Sequence, residues 1–117
     1  MKRAVYSKSR LILGISILIA IFSISNSCNK SSDMPGTNEV FIQGMAFSPS
    51  TITITAGTTV TWTNKDGVAH TVTSTTGLFD SGSISTNETY SHLFSTAGTF
   101  PYLCTVHPTM TATVKVN

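Results

Sequence analysis

The stretch Thr51–Thr63 reads TITITAGTTVTWT. Ile52 and Ile54 alternate with threonines, Ala56-Gly57 supplies a turn, and Val60 and Trp62 alternate with Thr59, Thr61 and Thr63. A period of two, with β-branched residues on both sides of a turn, specifies two half-buried strands. The same pattern extends in both directions. Upstream, Val40–Gln43 is a short strand. Downstream, Lys65-Asp66-Gly67 makes a turn, and Ala69–Thr73 is expected as a strand with His70 and Val72 on one face. Residues 74–88 form a loop rich in Ser, Thr and Gly, with Leu78, Phe79 and Ile84 as expected anchors. Tyr90, His92 and Phe94 alternate, Ala97-Gly98 turns the chain, Phe100, Tyr102 and Cys104 alternate, and Ala112, Val114 and Val116 follow. No helical period runs over a useful length. Seven to eight short strands in this span predict an all-β sandwich. Pro101 falls inside one of them. It has no N–H for a ladder, so it is expected to face an edge or a bulge.

The chain of 117 residues has room for one domain beside its N-terminal segment. Lys2, Arg3, Lys8 and Arg10 form a basic stretch, and Leu11 through Ile24 is almost unbroken apolar sequence. That run is shorter than a bilayer span and reads as the core of a signal peptide over residues 1–27. Ser25-Asn26-Ser27 and then Cys28 follow. A cysteine in that place resembles a bacterial lipobox, although Ser25 stands where leucine is usual, so Cys28 is the expected lipidation site. Residues 28–38, CNKSSDMPGTN, are polar and read as a flexible tether. The domain is expected to span 39–117. From Cys28 onward, Lys30, Lys65 and Lys115 stand against Asp33, Glu39, Asp66, Asp80 and Glu88, a net side-chain charge of −2. The basic balance of the whole chain therefore belongs to the N-terminal segment. No basic patch is left, so nucleic acid is not an expected partner. With Cys28 lipidated, Cys104 has no disulfide partner, and a metal would account for its thiol.

Cys104-Thr-Val-His107-Pro-Thr-Met110 places a thiolate, an imidazole and a thioether within seven residues. The alternation of Phe100, Tyr102 and Cys104 points the sulfur inward, and a tight loop can bring His107 and Met110 back to it. His70 lies upstream in another segment. Two imidazoles and one thiolate, with a weak axial thioether, are the ligand set of a mononuclear blue-copper centre. The soft sulfur donors favour Cu(I), while imidazole suits both oxidation states. Taken singly, a buried Cys or Met is ordinarily core filler. The four together in an exported all-β domain argue for one copper ion. Structural zinc rarely uses Met. His92, between Tyr90 and Phe94, reads as a packing residue, since the donor set is complete without it.

The segment Met45–Thr71, with Tyr90–Cys104 and His107-Pro-Thr-Met110, resembles the plastocyanin family of cupredoxins over essentially all of 39–117. The Cys-x-x-His-x-x-Met spacing is similar to that of amicyanins. The resemblance implies a Greek-key sandwich with copper at one end. It also implies that His107 is the ligand at the solvent edge, and that the Thr71 N–H can reach the Cys104 sulfur. Met45 sits where the family has an apolar residue near the copper end. Two departures are visible. The longer N-terminal extension of amicyanins is replaced by a tether, and Pro101 stands where the family strand has a polar donor.

The expected function is single-electron transfer between redox partners such as a cytochrome c or a copper or haem enzyme. The expected setting is the periplasm or cell envelope, as a monomer attached to the membrane only by its lipid. The alternative is a copper-binding protein for storage, delivery or scavenging. An enzyme is not expected. A copper nitrite reductase needs a second site built from further histidines, and only His92 remains. A binuclear centre needs a second cysteine between Cys104 and Met110, and none is present. A metal-free adhesion module of immunoglobulin type is the reading left if no metal binds.

Overall fold

The computed structural model describes residues 34–117. The expected signal peptide, Cys28 and residues 28–33 of the tether lie outside that span. Among the described residues eight strands form, and no helix is long and apolar enough to cross a membrane. They are β1 Glu39–Ile42, β2 Phe47–Ser48, β3 Thr51–Ile54, β4 Thr58–Asn64, β5 Thr73–Ser74, β6 Thr89–Phe94, β7 Gly98–Leu103 and β8 Thr111–Val116.

The strands make two four-stranded sheets, in the orders β2-β1-β4-β6 and β3-β8-β7-β5. β1 runs parallel to β4 and β3 parallel to β8; the other neighbours are antiparallel. Consecutive strands repeatedly change sheet, as in a Greek-key sandwich. The alternation read from the sequence supplies the layer between the sheets: Ile52, Ile54, Val60, Trp62, Phe94, Tyr102, Ala112, Val114 and Val116 are all buried there. Trp62 on β4 and Tyr102 on β7 tie the two sheets together. The indole N–H donates to the Tyr102 hydroxyl at 3.1 Å, and the rings meet edge-on at 5.5 Å. A buried polar pair of this kind is stable because each group satisfies the other.

Two local expectations need correction. Ala69–Thr73 is not a regular strand. His70 makes an isolated bridge to Ile84, β5 begins only at Thr73, and His70, Thr71 and Val72 are all buried rather than alternating. The segment is enclosed on both sides because the 80–84 loop folds over it. In the wider 74–88 loop Phe79 and Ile84 are buried anchors, but Leu78 is 52% exposed. Pro101 does face an edge, although β7 is an interior strand. On one side of Pro101 is β8; on the other, β5 has already ended, and the Pro101 carbonyl accepts from the Thr75 N–H at 3.1 Å. The missing donor of Pro101 faces that same side, where the ladder stops.

Candidate metal centre

Cys104 follows the last residue of β7, and the chain then turns tightly before β8. Two backbone hydrogen bonds fix the turn: the Cys104 N–H donates to the Met110 carbonyl at 3.0 Å, and the Met110 N–H to the His107 carbonyl at 2.9 Å. Cys104 is fully buried and free, Met110 is buried in the core, and His107 is half-buried. His70 arrives from the segment between β4 and β5 and is also fully buried. Three of the donors expected from the sequence are thus brought together by side-chain atoms that face one another, and Met110 is held beside them through its backbone. Cys104 Sγ lies 3.8 Å from His70 Nδ1 and 3.8 Å from His107 Nδ1, and the two nitrogens are 3.2 Å apart.

That triangle tests whether a metal fits. A point in its plane equidistant from the three atoms lies about 2.1 Å from each, the length of a metal–imidazole bond and slightly short of a metal–thiolate bond. A trigonal plane of two imidazole nitrogens and one thiolate is copper's arrangement in blue-copper proteins. His70, Cys104 and His107 are the group among the described residues that could hold a metal ion.

Residues outside the donor set prepare it. Asp66 Oδ2 accepts from His70 Nε2 at 2.9 Å. The proton is thereby held on Nε2, and the Nδ1 lone pair faces the sulfur. The same carboxylate accepts the N–H groups of Gly44 at 2.7 Å and Met45 at 3.0 Å. Gly44 and Met45 both have positive φ, 64° and 59°, so this turn presents two amides side by side to one carboxylate. Burial alone would raise the Asp66 pKa; the two amides and His70 outweigh it and hold it below the ordinary value. Asn64, fully buried, donates to the Val68 and Ile84 carbonyls and accepts the Asp66 N–H, which shapes the loop that carries both residues.

The sulfur is prepared in the same manner. Burial would push the Cys104 thiol up, but the Thr71 N–H at 3.3 Å, the His107 ring and the His107 amide bring it below its ordinary value. A thiol so placed gives up its proton more readily, and the thiolate is the form a metal needs. Thr71 also joins the two donor segments, since its Oγ1 accepts the Thr105 N–H at 2.8 Å. Asp66, Asn64 and Thr105 escaped the sequence reading. The only local signal is an acid four residues before His70, within a Lys-Asp-Gly stretch that reads as a turn.

A family model for copper-binding proteins of the plastocyanin/azurin family matches residues 35–117. The chain belongs to that family. Members of this family bind a single copper ion and transfer electrons, and this cupredoxin carries their His, Cys, His and Met donors. It is 37% identical over 87 residues to the amicyanin-alpha of Methylorubrum extorquens, an alignment covering 70% of this chain and 73% of that one. Among solved structures, a Cu(I) form of an amicyanin variant superposes with a TM-score of 0.65 at 30% identity, over 68% of this cupredoxin and 80% of that chain. A purple cupredoxin from Nitrosopumilus maritimus superposes with a TM-score of 0.63 at 32% identity, over 68% and 98%.

His92 lies apart from the centre. Its ring packs against Phe79 and Phe94, each at 4.8 Å.

Proposed function

We propose that this protein is an exported single-electron carrier whose one copper ion is held by His70, Cys104, His107 and Met110. The observation that carries the reading is the convergence of Cys104 Sγ and the two Nδ1 atoms on one point. Copper bound there supplies a one-electron Cu(II)/Cu(I) couple. The chain's own residues do the rest. Asp66 holds His70 in one tautomer, the Thr71 N–H stabilises charge on the sulfur, and the backbone bonds within 104–110 fix the other donors. Groups pinned in this way move little when the oxidation state changes, which keeps transfer fast. His107 is the half-buried histidine of the pair, flanked by exposed Val106 and Pro108, and is the proposed point of electron exit.

A store or delivery protein must give its metal up. Full burial of His70 and Cys104 argues against easy release, so the carrier is the better reading. The N-terminal sequence supports export and lipid attachment at Cys28, with 28–38 as the tether to a domain of residues 39–117. The proposed partners are other redox proteins, such as a cytochrome c or a copper or haem enzyme.

The copper-loaded oxidised protein is expected to be intensely blue from thiolate-to-copper charge transfer. Cys104→Ser should abolish the colour and leave the fold intact. A colourless wild type that binds copper with an ordinary spectrum overturns the assignment. Attachment is tested separately: the mature protein should partition into detergent, and Cys28→Ala should release it or block its processing. An unmodified Cys28 on a soluble mature protein would remove the lipid.

A further inference from the structure

The Thr71 amide that reaches the Cys104 sulfur belongs to a residue whose side chain is the middle of a longer arrangement. Thr71 Oγ1 lies 3.0 Å from Thr105 Oγ1 and 3.0 Å from Thr73 Oγ1. Thr73 Oγ1 in turn donates to Asp80 Oδ1 at 3.1 Å. Asp80 is fixed in place: its Oδ1 also accepts the Gly82 N–H at 2.9 Å. Next to it, Ser81 clamps the same segment, its N–H donating to the Val72 carbonyl and its Oγ accepting the Val72 N–H at 2.7 Å.

Counting protons gives this chain a direction. A carboxylate only accepts, and each threonine hydroxyl has one proton to give. Thr73 gives its proton to Asp80, so towards Thr71 it must accept. Thr71 therefore gives its proton to Thr73. Its oxygen then has lone pairs for the Thr105 hydroxyl and for the Thr105 N–H at 2.8 Å. Every hydroxyl proton points towards Asp80. One carboxylate, outside both donor segments, thus sets the orientation by which Thr71 on the His70 side grips Thr105 on the Cys104 side.

We propose that Asp80 is a remote positioning residue for the copper thiolate, orienting three threonine hydroxyls so that the Thr71 N–H stays on the Cys104 sulfur. The proposal rests on the copper reading above. A hydrogen bond to the sulfur stabilises its negative charge, which is greater in the reduced state, and therefore raises the reduction potential. Loss of the chain loosens that bond and lowers the potential. Simple removal of a negative charge would act in the opposite sense and raise it. The two roles of Asp80 are therefore distinguished by sign.

Three variants of the full-length protein test this: Asp80→Ala, Thr73→Val and Asp80→Asn. The asparagine oxygen can still accept from Thr73 and Gly82, so only the charge is lost. Voltammetry of the copper-loaded forms should give a lower potential for Asp80→Ala and Thr73→Val, and a potential at or above wild type for Asp80→Asn. In the metal-free protein, the Thr71 and Thr105 amides should exchange with solvent several-fold faster in the first two variants and at the wild-type rate in the third. Trp62 fluorescence reports whether each variant is folded. Potentials at or above wild type in Asp80→Ala and Thr73→Val, or a fall in Asp80→Asn matching that in Asp80→Ala, overturn the proposal. A wild type without charge-transfer colour would instead sink the copper reading, and the exchange rates, read without metal, would still decide the role of Asp80.

Discussion

One carboxylate oxygen pair at Asp66 receives His70 Nε2–H and the amides of Gly44 and Met45. Asp66→Ala leaves all three donors without their acceptor. A lost acceptor for a part-buried donor costs about 1–3 kcal/mol, and loss of the carboxylate behind a ligating histidine typically weakens metal binding about 10–100-fold. Urea titration of the metal-free form and competition with a copper chelator measure the two effects. The Asp66 pKa is lowered in the fold, so its contribution is fully present above the ordinary carboxylate value and is lost as pH falls through the folded one. Asp66→Ala should therefore be destabilised at neutral pH and converge on wild type in acid. His92 behaves in its own pH range. Burial lowers its pKa, because a charged ring would be poorly solvated against Phe79 and Phe94. The stability it leaves undisturbed as a neutral ring is present above its ordinary value near 6.5 and is lost as pH falls through the lower folded value. The urea midpoint of wild type should fall over that window, and His92→Leu should fall less.

At the scale of strands, the Trp62–Tyr102 hydrogen bond joins one sheet to the other. Tyr102→Phe strands a buried indole N–H and should cost about 1–3 kcal/mol. Trp62→Phe strands the hydroxyl and also opens space, so it should cost more. The double variant should cost less than the sum of the two, since only one bond is there to lose; denaturant unfolding of the three proteins checks this. These strands were legible from sequence because each is half-buried, and a half-buried strand alternates. β4, β6, β7 and β8 appear where Val60–Trp62, Tyr90–Phe94, Phe100–Tyr102 and Ala112–Val116 alternate. The two-residue β2 is too short to show a period. His70, Thr71 and Val72 are buried on both sides, so the alternation that puts His70 and Val72 on one face does not mark a half-buried strand. The proposed copper donors are legible because three of the four lie within seven residues. Asn64, Asp66, Thr105 and Asp80 are not, since they act on partners brought near only by folding, as when Asp66 meets the amides of Gly44 and Met45.

Across the whole molecule, the end that carries His107 is apolar and nearly uncharged. Met45, Val68 and Val106 are 45%, 49% and 56% exposed. They sit on the turn bonded to Asp66, on the loop leading to His70 and on the loop of His107. The charges on the loop leading to His70 are occupied: Asp66 binds inward, and Lys65 lies over the Phe41 ring at 4.7 Å. Encounter through such a face gains little from long-range attraction, and screening has little to remove. Electron self-exchange between two copies, measured by NMR line broadening, should change by less than about twofold between low and high salt. A steep dependence would place the contact on a charged face instead.

Among the described residues, the order β2-β1-β4-β6 leaves β6 with one side unpaired. Its sequence is TYSHLF, without Lys, Arg, Asp or Glu, and its outward Leu93 is 55% exposed. Proteins usually guard such a strand with charge, proline or a bulge, because its free amides and carbonyls can template a second chain. Here no charge or proline stands guard, and the one imidazole on the strand, His92, packs against Phe79 and Phe94. Self-association should therefore set in at high protein concentration through β6 to β6 contact. Leu93→Lys, on the face away from the copper donors, should raise the concentration at which light scattering first appears, with the visible spectrum unchanged. A carrier concentrated on a membrane surface would meet that limit sooner than one free in solution.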